Sequence, residues 1–204
     1  LAASRMGCKV LMLTFSIGSI GRMSCNPAIG GVGKGQLVRE IDALGGQMGR
    51  AADACGIQFR MLNSSKGAAV HSSRAQIDMD MYSKYMQALL LKLENLKIME
   101  AEVRGVIVKN NKVEGVLTDK GERIAAASVL LCPGTFLGGV IHIGLKHFSA
   151  GRIDEPASDY LADSLRSLGF KLLRFKTGTC ARLNRNSIDY SRLILQEGDA
   201  SPKP

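Results

Sequence analysis

The sequence predicts an α/β fold, because runs of apolar residues long enough for strands alternate with segments that have helical periodicity. Residues 8–14 form a largely apolar run, which is typical of a strand buried in a parallel sheet. A glycine-rich loop then leads into residues 33–45, whose apolar side chains recur at helical spacing. Further along, short apolar runs around a turn at residues 110–112 indicate antiparallel strands. This order predicts a Rossmann-like sheet interrupted by a β-meander.

The same patterns place the other elements of the first half of the chain. Residues 1–7 are predicted to be the last turns of a helix, and a short helix is expected at 47–54. Residues 57–62 alternate in polarity as a strand does. A long helix is predicted over 75–93, where apolar side chains recur at helical spacing. These side chains are Ile77, Met81, Tyr85, Leu89 and Leu93.

The second half of the chain is predicted to be rich in strands. They are expected at 97–103, 104–108, 113–118 and, as a return strand of the parallel sheet, at 128–132. We therefore expect a Rossmann-like domain over residues 1–150 and the start of an inserted, substrate-facing α/β region over 151–204.

Composition and charge narrow the class of protein. Hydrophobic residues make up 46% of the 204 residues and charged residues 22%, as in ordinary globular proteins, and no apolar run is long enough to cross a bilayer. The net charge of +9 favours an anionic partner such as nucleic acid. The five cysteines are widely spaced and odd in number, so they suggest neither a metal site nor a disulfide framework. A reducing cytoplasm is the simplest compartment.

The segment over residues 24–35 carries the strongest local signal for chemistry. Its glycines leave main-chain N–H groups uncovered just before a helix, an arrangement that suits a phosphate or the electron-rich edge of a cofactor. The thiolate of Cys25 would be favoured beside such a site. A tight structural loop with a buried cysteine explains the pattern equally well. Two common motifs are excluded, because Gly35 stands where a P-loop needs Ser or Thr, and Gln36 stands where a dinucleotide fingerprint needs glycine.

Residues 24–46 closely resemble the glucose-inhibited division protein A family, the flavin-dependent tRNA uridine 5-carboxymethylaminomethyl modification enzymes. Three further blocks resemble the same family in the same order. They are residues 56–63 with 65–67 and 74–76, residues 134–137 with 141–144, and residues 176–179. Four ordered blocks are far more specific than one glycine pattern, and the resemblance runs along the whole chain.

The resemblance implies an FAD-binding domain of the two-dinucleotide-binding flavoprotein type. It implies modification of the tRNA wobble uridine (U34), in which a carboxymethylaminomethyl or aminomethyl group is built at C5 with 5,10-methylenetetrahydrofolate and NADH. It also implies a GTPase partner, a homodimer and a cytoplasmic location without a membrane span. Since the family's N-terminal FAD fingerprint and its nicotinamide-binding segment have no counterpart here, we expect the chain to be incomplete at both ends.

The resemblance also assigns roles to residues of the glycine-rich segment. Cys25 matches a cysteine implicated in activity, and a thiolate suits attack at C6 of a uracil ring, although structural packing remains an alternative. Gly30, Gly31 and Gly33 are expected to contact the cofactor. Lys34 is expected to contact substrate or tRNA phosphate, unless it is only a solvated residue at a helix start.

The remaining candidates lie further along the chain. Val103 matches a main-chain contact to the adenine side of FAD, although it could equally be an ordinary strand residue. Ser158 matches a second FAD contact and could equally be a helix N-cap. Gly134 and Thr135 follow the predicted strand at 128–132 and are expected beside the cofactor. No metal site is expected.

Two basic residues near the C-terminus, Lys176 and Arg182, are candidates for contact with substrate or tRNA phosphate. Between them the chain departs from the family, which has two prolines where this sequence has Cys180 and Ala181. Since prolines stiffen a loop, we expect this loop to be more mobile than that of the family.

Two alternative functions remain open. One is a relative of the folate- and FAD-dependent tRNA uridine methyltransferases, which should lack the 24–35 segment. The other is a non-catalytic tRNA-binding fragment, because the FAD fingerprint is absent from this sequence. A flavin absorption spectrum distinguishes a flavoprotein from the second alternative.

Overall fold

The computed structural model describes residues 1–24, 27–178 and 180–202. Its strands are β1 (Val10–Thr14), β2 (Ala28–Gly30), β3 (Gly56–Leu62), β4 (Ser72–Ile77), β5 (Leu96–Glu100), β6 (Val103–Lys109), β7 (Lys112–Thr118), β8 (Arg123–Ala125), β9 (Val140–Ile143) and β10 (Lys146–Ser149). Its α-helices are α1 (Ala2–Arg5), α2 (Lys34–Ala43), α3 (Met48–Cys55), α4 (Met79–Leu91) and α5 (Asp159–Ser167).

The chain folds into two compact units, each assembled from separate stretches. The first unit contains Leu1–Val10, Gly18–Lys97 and Thr177–Pro204, and the second contains Leu11–Ile17 and Ile98–Lys176. The division at residue 150 that the sequence suggested stays a prediction.

The first unit is built on an antiparallel three-stranded sheet with the order β2-β4-β3. One face of this sheet is apolar, and it packs with α3 and α4 to form the core of the unit. The buried residues of this cluster are Ile29, Ala51, Ala52, Cys55, Ala75, Ile77 and Tyr82. Side chains alternate between the two faces of a strand, so the residues between these positions lie on the opposite, polar face.

The second unit contains most of a parallel strand pair and the whole of a β-meander. Strands β1 and β5 run parallel, since Val10 N donates to Asn95 O (2.8 Å) at one end and Ala101 N to Thr14 O (2.9 Å) at the other. The meander has the order β6-β7-β8 and is antiparallel throughout. Helix α5 packs against β6 through its buried face, and β9 and β10 form a separate hairpin.

The predicted α/β class is confirmed, together with the two short helices after the glycine-rich loop and the meander. The tight turn between β6 and β7 is made by Asn110 and Asn111, both with positive φ (49° and 59°), which asparagine adopts more readily than most residues. No helix among the described residues is long and apolar enough to cross a membrane.

The prediction of a helix from residue 75 was wrong at its start. Residues 75–77 belong to β4, which is hydrogen-bonded on both edges, to β2 and to β3. The helix α4 begins only after Asp78, whose Oδ1 accepts a hydrogen bond from Met81 N (2.9 Å) and so caps the helix. Ile77 fits both periodicities, and pairing with two strands decided in favour of β structure.

The predicted return strand at 128–132 was also wrong. These residues adopt no strand, and Leu130 in the middle is 87% exposed. An apolar run becomes a strand only where a neighbouring strand offers main-chain hydrogen bonds. In the part of the chain that the structure describes, the parallel sheet consists of β1 and β5 and does not pair with this segment.

Candidate functional site

The glycine-rich segment connects β2 to α2 and is held against β4. Gly30 has φ of 84°, and a Cβ at this position would overlap the carbonyl oxygen of Ser73 on β4. Gly31 has φ of 99°, with open space where its Cβ would lie. Glycine is therefore required at residue 30 by both backbone conformation and close approach, and at residue 31 by conformation alone.

Three main-chain N–H groups of this segment, those of Gly31, Lys34 and Gly35, are already hydrogen-bonded within the protein. Gly31 N donates to Ser73 O (2.9 Å), and Gly31 O accepts from Lys34 N (2.9 Å) and Gly35 N (2.8 Å). The hydroxyl of Ser72 also donates to Gly31 O. These three N–H groups are therefore not free to bind an anion at the helix start. Contacts of Gly30, Gly31 and Gly33 to a cofactor stay predictions.

A cavity of about 360 Å³ lies beside this segment in the first unit. Its volume is within the range of small-molecule sites. Its walls are mainly apolar, with two cationic side chains and one phenol. The lining residues are Gly21, Arg22, Met23, Ala28, Ile29, Gly30, Lys34, Val38, Met48 and Tyr82. An apolar cleft with two cations suits a planar ring that carries an anionic group.

The predicted catalytic residue, Cys25, lies outside the described residues. The residues on either side of residues 25 and 26, which are Ser24 and Pro27, both accept hydrogen bonds through their carbonyl oxygens. Ser24 O accepts from an Arg182 guanidinium nitrogen (2.8 Å), and Pro27 O accepts from Ile77 N (2.7 Å). The structure therefore brings Arg182, predicted from a distant part of the sequence, to the segment that contains Cys25.

Burial raises the pKa of two side chains of the first unit, Tyr82 at the cavity wall and Cys55 in the core. It raises the pKa of Tyr82 above its ordinary value of 10.0, and the nearby Cys55 thiol adds to the shift. It also raises the pKa of the Cys55 thiol, with the charge of Asp78 as the second cause. The Tyr82 phenol thus stays protonated at neutral pH and can donate a hydrogen bond. Among the described residues, no three His, Cys, Asp or Glu side chains are grouped to hold a metal ion.

In the second unit, Ser158 holds the loop that carries two other candidates. Its N–H donates to Phe136 O (2.7 Å), and its carbonyl accepts from Gly138 N (3.3 Å). Gly134 and Thr135 lie in the short 3₁₀ helix at the start of this loop. Ser158 is 7% exposed and occupies the N-cap position of α5, but its side chain makes no capping bond. Ser158 is therefore the N-cap residue of α5 by position, as one alternative predicted, and its contact to FAD stays a prediction.

Val103 lies at the same end of the second unit as Ser158. Helix α5 runs alongside β6, since Tyr160 covers the Arg104 guanidinium (4.3 Å to the ring centroid) and the Ser164 hydroxyl accepts from Val106 N (3.2 Å). The starts of the helix and of the strand therefore lie near each other. This placement is compatible with contacts from both residues to one ligand. Lys176 is exposed in the same unit.

Sequence reasoning missed several residues that line the cavity. Met48 and Tyr82 come from α3 and α4, far from the glycine-rich segment, and no local pattern links them to it. Ser72, which binds Gly31 O, lay in a stretch given no role. Arg22 had one available signal, its position three residues before Cys25.

Comparisons with known proteins agree with this arrangement. The family model described as "Glucose inhibited division protein A" matches residues 1–204. The "tRNA uridine 5-carboxymethylaminomethyl modification enzyme MnmG" of Chlorobium phaeobacteroides is 51% identical over 205 residues, and that of Wolinella succinogenes is 52% identical over 203. Each alignment covers 100% of this chain and 33% or 32% of the relative. The chain thus spans about a third of the length of these curated relatives.

Solved structures give the same result. A crystal structure of Aquifex aeolicus GidA matches with a TM-score of 0.91 and 52% identity, over 97% of this chain and 33% of that one. The GidA-related protein from Thermus thermophilus, at 21% identity and a TM-score of 0.56, shares the fold alone. With the family model and these relatives covering its whole length, the chain belongs to the glucose inhibited division protein A family.

Proposed function

We propose that this protein takes part in modifying the wobble uridine, U34, of tRNA at C5. The product would carry a carboxymethylaminomethyl or aminomethyl group, built with 5,10-methylenetetrahydrofolate, FAD and NADH. The proposal is supported by the family match over the whole chain and by the activity that names the relatives at 51–52% identity.

One observation carries the proposal to a specific site, namely the cavity beside the segment that contains Cys25. Met23, Val38 and Tyr82 give it apolar walls against which a planar ring can pack. Lys34 and Arg22 place positive charge at the same cavity, as a nucleotide's phosphate requires. Uridine combines these two features in one substrate.

The thiol of Cys25 suits carbon–carbon bond formation at C5 of uracil. Addition of its thiolate to C6 would move the C5–C6 electron pair to C5, which would bond to the folate-bound methylene carbon while a carbon–nitrogen electron pair returns to the folate nitrogen. Loss of the C5 proton to a base, with elimination of the thiolate, restores the ring. Arg182 supports this role indirectly, because its bond to Ser24 O fixes the chain next to Cys25.

The second unit contains residues that fit FAD. The start of α5 has main-chain N–H groups without intrahelical partners, and the Ser158 hydroxyl is not used in capping. Val103, Gly134 and Thr135 complete a group of predicted contacts, and the position of α5 along β6 supports Val103 and Ser158 as neighbours. When bound, FAD supplies the redox chemistry of the reaction, with NADH as reductant.

The proposed partners are tRNA, a tRNA-modification GTPase and a second copy of the protein in a homodimer, acting in the cytoplasm. The net charge of +9 supports a polyanionic substrate, because basic proteins gain affinity for nucleic acid through counterion release. Lys34, Lys176 and Arg182 are the proposed phosphate contacts.

Substitutions of two separate cysteines provide the test. We expect Cys25→Ser to reduce U34 modification at least about 10³-fold, as removal of a nucleophile does. Cys180→Ser is the matched control, because Cys180 is an exposed free thiol and should be dispensable. The readout is mass spectrometry of tRNA nucleosides, with the flavin absorption spectrum of each purified variant to show that the cofactor site is intact.

The same measurement separates the alternatives. A product heavier by one methyl group would identify a tRNA uridine methyltransferase instead. Absence of flavin together with retained tRNA binding would favour a non-catalytic RNA-binding protein. Full modification by Cys25→Ser would remove Cys25 from the catalytic residues.

A further inference from the structure

Two arginines lie directly opposite each other on the polar face of the β2-β4-β3 sheet. Arg60 on β3 and Arg74 on β4 are Cα partners in the antiparallel register. Directly opposed side chains point to the same side of a sheet, about 5 Å apart at Cβ. The adjacent residues Phe59 and Ala75 pack at the core, so the two arginines share the face away from the core.

This arrangement is unfavourable by itself. Like charges directly opposite each other on neighbouring strands destabilise a sheet. Among the described residues, Arg104, Arg152 and Arg166 form ion pairs, and no carboxylate pairs with Arg60 or Arg74. The repulsion therefore has no internal compensation in the part of the chain that the structure describes.

Arg74 also has no side-chain acceptor among residues 1–24, 27–178 and 180–202. Its Nε is buried and has no hydrogen-bond partner among the described residues. A buried unpaired donor is costly, and in native proteins such a group usually has a functional explanation. Arg60 makes one long contact, from a terminal nitrogen to Glu197 O (3.4 Å). Most donors of the two guanidinium groups thus remain available.

The neighbouring contacts on this face are to amide side chains and to main-chain carbonyls of the segment at 196–199, since Gln58 Nε2 donates to Gln196 O (3.0 Å) next to the Arg60 contact with Glu197 O. Gln58 and Gln76 are the next opposed pair on the same face. The carboxylate of Asp199 accepts a hydrogen bond from Met61 N (2.7 Å), the residue next to Arg60 on β3. Two guanidinium groups beside the Gln76 amide can donate several charge-assisted hydrogen bonds to the oxygens of a phosphate group.

We propose that Arg60 and Arg74 form a phosphate-binding pair on the polar face of this sheet. Binding relieves the like-charge repulsion and gives the arginine donors acceptors. The phosphate can be that of the RNA backbone or that of a small phosphorylated ligand. Assignment to the RNA backbone rests on the proposed function above, whereas the pair itself does not.

Inorganic phosphate is the first probe, used with the purified protein. The thermal unfolding midpoint is measured against phosphate concentration, with sodium chloride at matched ionic strength as reference. A ligand that binds only the folded state raises the midpoint in a saturable way. We expect Arg74→Gln and Arg60→Gln each to weaken the apparent phosphate affinity at least about 10-fold, since charge-assisted bonds are lost.

Arg50→Gln is the matched control. Arg50 is exposed on α3, and its substitution removes one positive charge from the same unit. Without phosphate, Arg74→Gln should unfold at the same or a higher temperature than wild type, because a repulsive neighbour is gone. A purely structural arginine would lower this midpoint. If Arg74→Gln fails to fold, Arg74→Lys replaces it, which keeps the charge and loses the planar fork.

A labelled RNA anticodon stem-loop is the second probe and identifies the source of the phosphate. Loss of RNA affinity in both glutamine variants beyond that of Arg50→Gln, with a shallower salt dependence, assigns the pair to the RNA backbone. Arginine-dependent phosphate binding with unchanged RNA affinity assigns it to a small phosphorylated ligand. The proposal is overturned if phosphate raises the midpoint of all three glutamine variants as it does that of wild type.

Discussion

The two neighbouring glycines of the site segment give a sharp test of its geometry, because both have positive φ but only one is closely approached. We predict that Gly30→Ala destabilises the protein much more than Gly31→Ala. At residue 30 the added Cβ overlaps Ser73 O, whereas at residue 31 it enters open space. The pair therefore separates the cost of backbone conformation from the cost of the contact.

The expected magnitudes follow from these two contributions. An L-residue in the left-handed region costs about 1–2 kcal/mol, and this applies to both variants. Overpacking adds about 1–3 kcal/mol at residue 30 only. Moving Ser73 O away also weakens its bond with Gly31 N (2.9 Å), a further loss of about 1 kcal/mol. Gly30→Ala should therefore cost at least about 2 kcal/mol more than Gly31→Ala.

The measurement is the free energy of unfolding from urea titrations, followed by circular dichroism and extrapolated linearly to water. The slope should be equal in wild type and both variants, so that the midpoints report stability. Values within about 0.5 kcal/mol of each other for the two variants would refute the close approach of β2 to β4 at Ser73.

Two further predictions concern the core of the first unit. Asp78→Ala should lower the free energy of unfolding by about 1 kcal/mol, because α4 loses its N-cap. Asp80→Ala, on the exposed first turn of the same helix, should lower it less. Equal losses in urea titrations would contradict the capping role of Asp78. Stability should also fall as pH rises above about 9, because burial raises the pKa of the Cys55 thiol and of Tyr82, so the unfolded chain releases these protons first. The free energy of unfolding is measured between pH 7 and about 11. Its fall with pH should be smaller in Cys55→Ala and unchanged in Cys180→Ala. A free energy of unfolding that does not change with pH in the wild type would contradict the prediction.

Local patterns were sufficient for much of the fold. Helix α2 follows from the glycine-rich loop and the apolar spacing after it, and the turn between β6 and β7 follows from Asn110 and Asn111. The family resemblance rests on ordered blocks of sequence, which is why it could be stated without coordinates. The prediction of secondary structure from sequence was wrong at residues 75–77 and 128–132, because periodicity alone does not decide between helix, strand and loop there.

The sequence by itself determined the α/β class, the family and the presence of a helix after the glycine-rich segment. These properties depend on residues close together along the chain, such as the glycines before α2 and the apolar spacing within it, whereas the close approach that requires glycine at residue 30 comes from Ser73 on β4. The tertiary structure decided which distant residues meet: Tyr82 at the cavity, Arg182 at Ser24, and Arg74 opposite Arg60. Strand register and helix packing set these contacts through hydrogen bonds and burial between segments far apart in sequence, and no local pattern encodes them.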